Sequence, residues 1–541
     1  MKKFIKYIVP SAVAVLSLGM TSCAGDLDVS PIDPNTTTSG ENLGDNLLNK
    51  CYANMAVAGQ GGANGDCDID GLDGGTTGFV RQLFNAQSLT TDEAVCAWGD
   101  AGISNLNFGT CDASHPMLAG LYYRLYAGID YCNQYLSAYG GQDEEKTAEA
   151  RFLRAYYYSV LMDGWGNVPF ATTISTEKPH QIKRADLYKW VISELRDVEG
   201  KLSAPTSAPK ENESGYGRAN KYTDQLLLSR IYLNAKVYAG VEKYDSAAYY
   251  AQEVITKSPY KLHKTAKTSN WTAYQELFMG DNGQNGATEE SLLSLPQDGI
   301  STTSWGTTMF LMAGSIDKNV HIKDANTTGV NLVITPWTGN RMKKDLVEKW
   351  FPKDDAPETG AYAMPAAAGD DRAIFDSEGR KLENTATTQF TDGYATGKFN
   401  NFYTDGTSGH ATDLPDADFF LFRIAEAYLN YAEATARANN DSPTPRGIEY
   451  LNELRARAHA AQKTSYTLND ICDEWAREFY FEGYRRTTLI RFNRFAGNVN
   501  YNWAWKGGVL NGTNIDKHYN LFAIPEQDRN ANSNLEQNPG Y

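Results

Sequence analysis

The chain has 541 residues, of which 41% are hydrophobic and 12% aromatic, including 33 Tyr and 10 Trp, ample material for a large core. Its 66 acidic against 50 basic residues leave a formal net charge of -16, which argues against nucleic acid or anionic lipid, both polyanions, as partners. A neutral ligand is the natural alternative. Abundant Tyr and Trp suit carbohydrate, because a pyranose face of C–H bonds packs on an aromatic ring while its hydroxyls seek amides, carboxylates and guanidinium groups.

At the N-terminus Lys2, Lys3 and Lys6 precede an apolar run over residues 8–20, and Met20-Thr21-Ser22 leads to Cys23. This pattern predicts a secretory signal peptide over residues 1–22. The run is shorter than the roughly 20 apolar residues that a spanning helix needs. The stretch before Cys23 is similar to a lipobox, which makes Cys23 the expected lipidation site and residues 23–40, polar and Pro/Thr-rich, the expected tether. Residues 41–541 then form one domain. Six cysteines follow Cys23, and their spacing matches no zinc pattern. An exported protein can oxidise such thiols, with Cys96 and Cys111 the pair that would close a plausible loop, but their pairing stays open.

Helical periodicity marks residues 43–55, 117–138, 149–161, 185–201, 223–238, 245–257, 421–432, 447–460 and 468–484. In 149–161 it aligns Phe152, Leu153, Tyr156, Tyr157 and Val160 on one face. Two stretches, 225–255 and 419–460, resemble helical hairpins of tetratricopeptide type. The fold class is therefore mainly α, with minor strands such as 331–335 and a large loop-rich face. Long Gly/Asp/Thr/Asn-rich segments at 59–78, 280–340 and 352–416 supply that face, and loops of this length in a compact domain are usually functional.

The chain lacks an HExxH, a GxSxG, a phosphate-binding loop and a dinucleotide fingerprint, so no enzyme chemistry is expected. Asp66, Asp68, Asp70 and Gly71 match the opening of a calcium loop, but Thr77 stands where a bidentate Glu belongs. The turn 281–285 with Asp418 would hold calcium only if the two met in space. No metal site is assigned; structural calcium is the one cofactor these loops admit.

The run Glu149-Ala150-Arg151-Phe152-Leu153-Arg154-Ala155-Tyr156-Tyr157-Tyr158, continuing to Trp165-Gly166-Asn167-Val168-Pro169, resembles the SusD/RagB family of Bacteroidetes surface glycan-binding lipoproteins. Gly217-Arg218-Ala219, Phe422 to Tyr428, Glu474 to Arg491 and the ending Asn538-Pro539-Gly540-Tyr541 follow in family order. Arg151, Arg154, Glu426, Glu478 and Arg485 are read as ion pairs that fix helix packing, and Trp165 and Tyr156 to Tyr158 as core. The resemblance implies a tetratricopeptide-like scaffold held at the outer membrane by its lipid. It also implies that the protein sits over a SusC-like TonB-dependent transporter and delivers a polysaccharide or oligosaccharide to it.

The stretch Ile69 to Arg81, then Thr91-Asp92-Glu93 and Ala97-Trp98, is similar to the binding region of a starch-binding member of that family. That likeness implies a glycan site of Asp73, Arg81, Trp98, Trp305 and Trp337. Two departures stand out, since Cys96 and Ala101 occupy positions of a site aromatic and a site Asn. The expected ligand is a neutral α-glucan such as starch or dextran. Fructan, an interaction scaffold without its own glycan site, and a glycoside hydrolase are the alternatives.

Overall fold

A computed structural model describes residues 42–59, 61–63, 67–327 and 334–541. The signal peptide, Cys23, the tether, Asp66 and most of the expected strand at 331–335 lie outside the described residues.

Ten helices carry the architecture: α1 (Leu43–Ala56), α2 (Phe79–Phe84), α3 (Pro116–Tyr139), α4 (Glu144–Gly164), α5 (Arg184–Val198), α6 (Lys221–Leu233), α7 (Tyr244–Lys257), α8 (Ile424–Ala438), α9 (Pro445–Arg457) and α10 (Leu468–Phe479). Their starts are written in the sequence. Pro116 and Pro445 occupy first-turn positions, where a missing N–H costs nothing. Asp143 accepts from the Lys146 N–H at the start of α4, and Asn220 with Thr223, like Thr467 with Asp470, forms a capping box. The expected helix 223–238 breaks at Asn234, after which a short helix, Ala235–Ala239, stops at Gly240 with φ 71°.

Helix packing follows the hairpin pattern expected of tetratricopeptide pairs. Helices α3 and α4 pack together, α4 on α5, α6 on α7, α7 on α8, and α8 on α9 and α10. Tyr156, Tyr157, Tyr158 and Trp165 are buried in the core, as expected.

Ion pairs lock these contacts. Arg151 and Arg154 of α4 meet Glu194 of α5 at 2.7 and 3.1 Å, Arg230 of α6 grips Glu426 of α8 at 2.6 Å, and Arg485 meets Asp92 at 2.6 Å. The densest network is fully buried. Arg423 reaches Glu290 at 2.6 Å, Glu478 at 3.1 Å and Glu482 at 2.7 Å, while Arg457 reaches Glu290 at 2.8 Å and also pairs with Glu478. Each carboxylate has at least one guanidinium, so none is left as an uncompensated buried charge.

Among the described residues strands are few and short, in four antiparallel pairs: β1 (Ala94–Cys96) with β5 (Asn340–Met342), β2 (Val168–Phe170) with β3 (His180–Ile182), β4 (Ser291–Leu295) with β8 (Phe419–Arg423), and β6 (Phe375–Asp376) with β7 (Ala395–Thr396). Strand β8 corrects the helix expected from 419 onward. Phe419, Phe420, Leu421 and Phe422 are all buried, and pairing with β4 satisfies their backbone before α8 begins at Ile424. The expected helix 468–484 likewise ends at Phe479, because Phe481 and Gly483 both take positive φ.

From Leu47 to Tyr541 the chain forms one unit, with a main core cluster built largely from these helices. The six described cysteines, Cys51, Cys67, Cys96, Cys111, Cys132 and Cys472, are free thiols.

Candidate functional site

Three separated segments build the site expected from the sequence. The first is α2 with the turn before it, the second is β1 with the residues that follow, and the third comprises the 298–316 and 334–340 segments.

Two glycines bring the first and third together. A Cβ on Gly78 would lie 2.6 Å from the Gly306 carbonyl oxygen, and one on Gly306 would lie 2.7 Å from the Gly78 Cα. Only glycine permits this backbone approach. The Arg81 N–H then donates to the Gly306 carbonyl at 3.0 Å, which sets Trp305 next to α2.

Strand pairing positions the rest. The β1–β5 ladder continues through the Ala97 N–H, which donates to the Gly339 carbonyl at 2.9 Å. Trp337 donates its N–H to the Ala313 carbonyl at 2.7 Å, at the end of the short helix Thr308–Ala313. The indole N–H of Trp98 donates to the Trp337 carbonyl at 2.9 Å.

The outcome is a row of three half-buried indoles. Trp98 and Trp337 have ring centroids 6.5 Å apart with planes at 53°, and Trp337 and Trp305 lie 6.4 Å apart at 78°. Phe310, fully buried, backs Trp98 edge-on at 5.7 Å. The indole N–H of Trp305 has no hydrogen-bond partner among the described residues.

Arg81 lies under this row, 7% exposed, its guanidinium carbon 5.2 Å from the Trp98 ring and 5.0 Å from the Phe310 ring. Its Nη2 reaches Asp100 Oδ2 at 3.2 Å. Burial draws the Arg81 pKa below its ordinary value, and the charges of Asp100 and Asp73 oppose that shift without cancelling it. Asp73 is exposed at the edge, at the start of the turn that leads into α2. Four of the five residues carried over from the resemblance therefore meet, Arg81 beneath the three rings, and Asp73 is near enough for its charge to act on Arg81. Flat apolar rings beside a guanidinium and exposed carboxylates can stack a sugar face and bond its hydroxyls.

The two departures have a structural counterpart. Cys96 is buried in β1 opposite Asn340, its thiol pKa pushed up to about 12 by burial, and Ala101 is an exposed turn residue. Trp98, two residues after Cys96, is a half-buried ring. Asp100 escaped the sequence reading; its signal was its place beside Ala101 in the loop that carries Trp98.

The acidic loops also make contacts within the protein. Asp68 accepts from Arg124 Nη1 at 2.6 Å and from the Tyr131 hydroxyl at 3.2 Å, which ties the calcium-like stretch to α3. The 281–285 turn and Asp418 do meet. Asn282 donates to the Asp418 carbonyl at 3.0 Å and accepts its N–H at 2.9 Å. Burial pushes the Asp418 carboxyl up to about 7, while Tyr216 and the Gln297 N–H donate to it and oppose that rise. Among the described residues no group of three or more His, Cys, Asp or Glu side chains is arranged to hold a metal ion.

Residues 356–541 match the SusD family. The starch-binding protein SusD of Bacteroides thetaiotaomicron is 38% identical over 579 aligned residues, covering 100% of this chain and 99% of that protein. Among solved structures, surface glycan-binding protein A from Bacteroides fluxus superposes with a TM-score of 0.65 at 19% identity, covering 93% of this chain and 100% of that one. Surface glycan-binding protein A from Bacteroides thetaiotaomicron, in complex with laminarihexaose, gives 0.66 at 17% identity, covering 92% and 98%. The structures speak for the fold, and the full-length identity for descent: this chain belongs to the SusD/RagB family.

Proposed function

We propose that the chain is a non-catalytic, surface-exposed glycan-binding lipoprotein that holds a neutral oligosaccharide on the Trp98–Trp337–Trp305 row. The observation that carries this reading is the convergence of three half-buried indoles with Arg81 and its partner Asp100, from segments far apart in sequence. In this reading Trp98, Trp305 and Trp337 stack sugar rings, and Asp73 and Arg81 bond vicinal hydroxyls. Residues 1–22 direct export, Cys23 carries the lipid that anchors the protein in the outer membrane, residues 23–40 tether it, and residues 41–541 form the binding domain. A SusC-like TonB-dependent transporter receives the glycan.

The name of the 38%-identical relative supports an α-glucan, starch or dextran, as the ligand. The burial of Cys96 and the bare turn at Ala101 favour a second reading, the same role for a different neutral glycan such as fructan. Affinity electrophoresis of residues 24–541 through gels containing starch, dextran, levan or xylan separates the two. Retardation by an α-glucan supports the first, and retardation by levan alone supports the second. Passage through all four without delay would sink both in favour of a scaffold that binds only its transporter.

A further inference from the structure

A second cleft opens between α3 and the β2–β3 hairpin, on residues the tryptophan row does not use. Its volume is about 730 Å³, inside the roughly 300–1,000 Å³ range of small-ligand sites. One wall is a stretch of α3 with Tyr122, Tyr123 and Tyr126, and the other is β2 with the 171–179 loop.

The aromatic lining is continuous. Tyr122 lies 5.6 Å from Tyr123 and 4.8 Å from Tyr126; Tyr126 meets Tyr158 at 6.5 Å, and Tyr158 meets Phe170 at 5.3 Å. Tyr122 and Tyr158 are buried behind, whereas Tyr123, Tyr126 and Phe170 are half-buried and keep ring surface open. The walls are pinned to each other. The Tyr126 hydroxyl donates to the Pro169 carbonyl at 2.7 Å, and the Tyr158 hydroxyl and Asn133 amide donate to the Ala171 carbonyl at 2.9 and 3.1 Å. A ligand would therefore meet a cleft already ordered, with little entropy left to lose.

Polar groups stand where hydroxyls need them. The half-buried Asp528 carboxylate makes a single side-chain hydrogen bond among the described residues, from Tyr122 at 2.5 Å, and burial raises its pKa. Asp130 and Glu177 add negative charge against Lys178, so an anion is disfavoured, and a lone ammonium group would fill only a small part of the volume.

We infer that this cleft is a second binding site for a neutral oligosaccharide, with sugar faces on Tyr123, Tyr126 and Phe170 and a hydroxyl on Asp528. The inference rests on the proposed glycan-binding function, and it gives a polymer two places to be held on one chain. Two weak sites engaged by one strand bind it more tightly than either binds a fragment.

The test is binding stoichiometry on residues 24–541, by native mass spectrometry and calorimetry, with maltoheptaose, a dextran-derived oligosaccharide and a levan-derived oligosaccharide as probes. Two variants address the cleft: Tyr123→Ala, and Ile174→Arg at a rim position 57% exposed, where the fold is not at stake. Two molecules per chain are expected, falling to one in either cleft variant, to one in Trp98→Ala/Trp305→Ala, and to none in the combination. A single site, lost in the tryptophan variant and untouched by Tyr123→Ala and Ile174→Arg, overturns the second site and leaves the proposed function standing. A single site lost only in the cleft variants supports the cleft and overturns the tryptophan row. No binding of any probe overturns both.

Discussion

The indole N–H of Trp98 donates to the main-chain carbonyl of Trp337 at 2.9 Å, so two residues 239 positions apart are fixed edge to backbone. Trp98 has spent its one polar side-chain atom inside the protein, and the Trp305 N–H is buried without a partner among the described residues, so both offer a ligand only ring surface. Stacking on one ring contributes about 0.5–1.5 kcal/mol beyond burial, so Trp305→Ala is expected to weaken glycan binding roughly two- to tenfold. Trp98→Ala is expected to cost more, because it also frees the Trp337 carbonyl. Calorimetry on the retarding glycan measures both, and equal, unmeasurably small effects would argue against the row as the site.

Gly339 touches the same indole. A Cβ there would lie 2.4 Å from Trp98 Cε2, and the neighbouring backbone is held by β-ladder bonds. Gly339→Ala is therefore expected to push Trp98 off its seat and weaken binding about as much as Trp98→Ala, although residue 339 makes no ligand contact in the proposed site. A shift in tryptophan fluorescence accompanying the loss would trace it to the displaced ring.

The buried network around Arg423 predicts a stability effect distinct from binding. Arg423→Leu leaves Glu482 and Glu478 short of a partner in the core and is expected to cost about 3–5 kcal/mol, read from urea unfolding. Burial pushes the Glu478 pKa up, but Arg457, Arg423 and Arg372 outweigh it and bring the carboxyl to about 2. A carboxylate with a depressed folded pKa stabilises above its unfolded value of about 4.3 and loses that contribution as pH falls towards 2. Acid unfolding is expected within that window, with its midpoint at higher pH in the variant.

Glu93 carries the opposite sign. Burial lifts its pKa to about 7, only partly offset by Ser88 Oγ, which donates at 2.5 Å, and the Phe481 N–H, which donates at 2.7 Å. The folded state thus holds a proton that the unfolded chain releases above about 4.3, so stability attributable to Glu93 declines as pH rises from there through 7. Glu93→Gln is expected to flatten the wild-type slope of stability between pH 5 and about 7 in thermal melts. An unchanged slope would assign it elsewhere.

The helices were legible because their apolar residues recur at helical spacing over three or more turns, as in α4, while Pro116, Asn220, Thr444 and Thr467 would have sharpened their starts. Strand β8 was not, because Phe419 to Phe422 are all buried and show no alternation, and the run flows without a turn residue into α8. The row of indoles was named through family resemblance and not through periodicity. Loop residues carry no local signal of where they meet, and the close approach of Gly78 to Gly306 that joins two of the segments becomes visible only in three dimensions.

That glycine contact sets the spacing between α2 and the Trp305 segment through main-chain atoms alone. The spacing of those two supports is thus independent of the rings they display, whereas the Trp337 strand also leans on the Trp98 indole. Sequence drift at Trp305, Trp337 or the position of Ala101 alters what the surface grips while the distance between α2 and the Trp305 segment stays the same. A lineage of such proteins can therefore exchange one polymer for another by replacing single side chains, with no new backbone to invent.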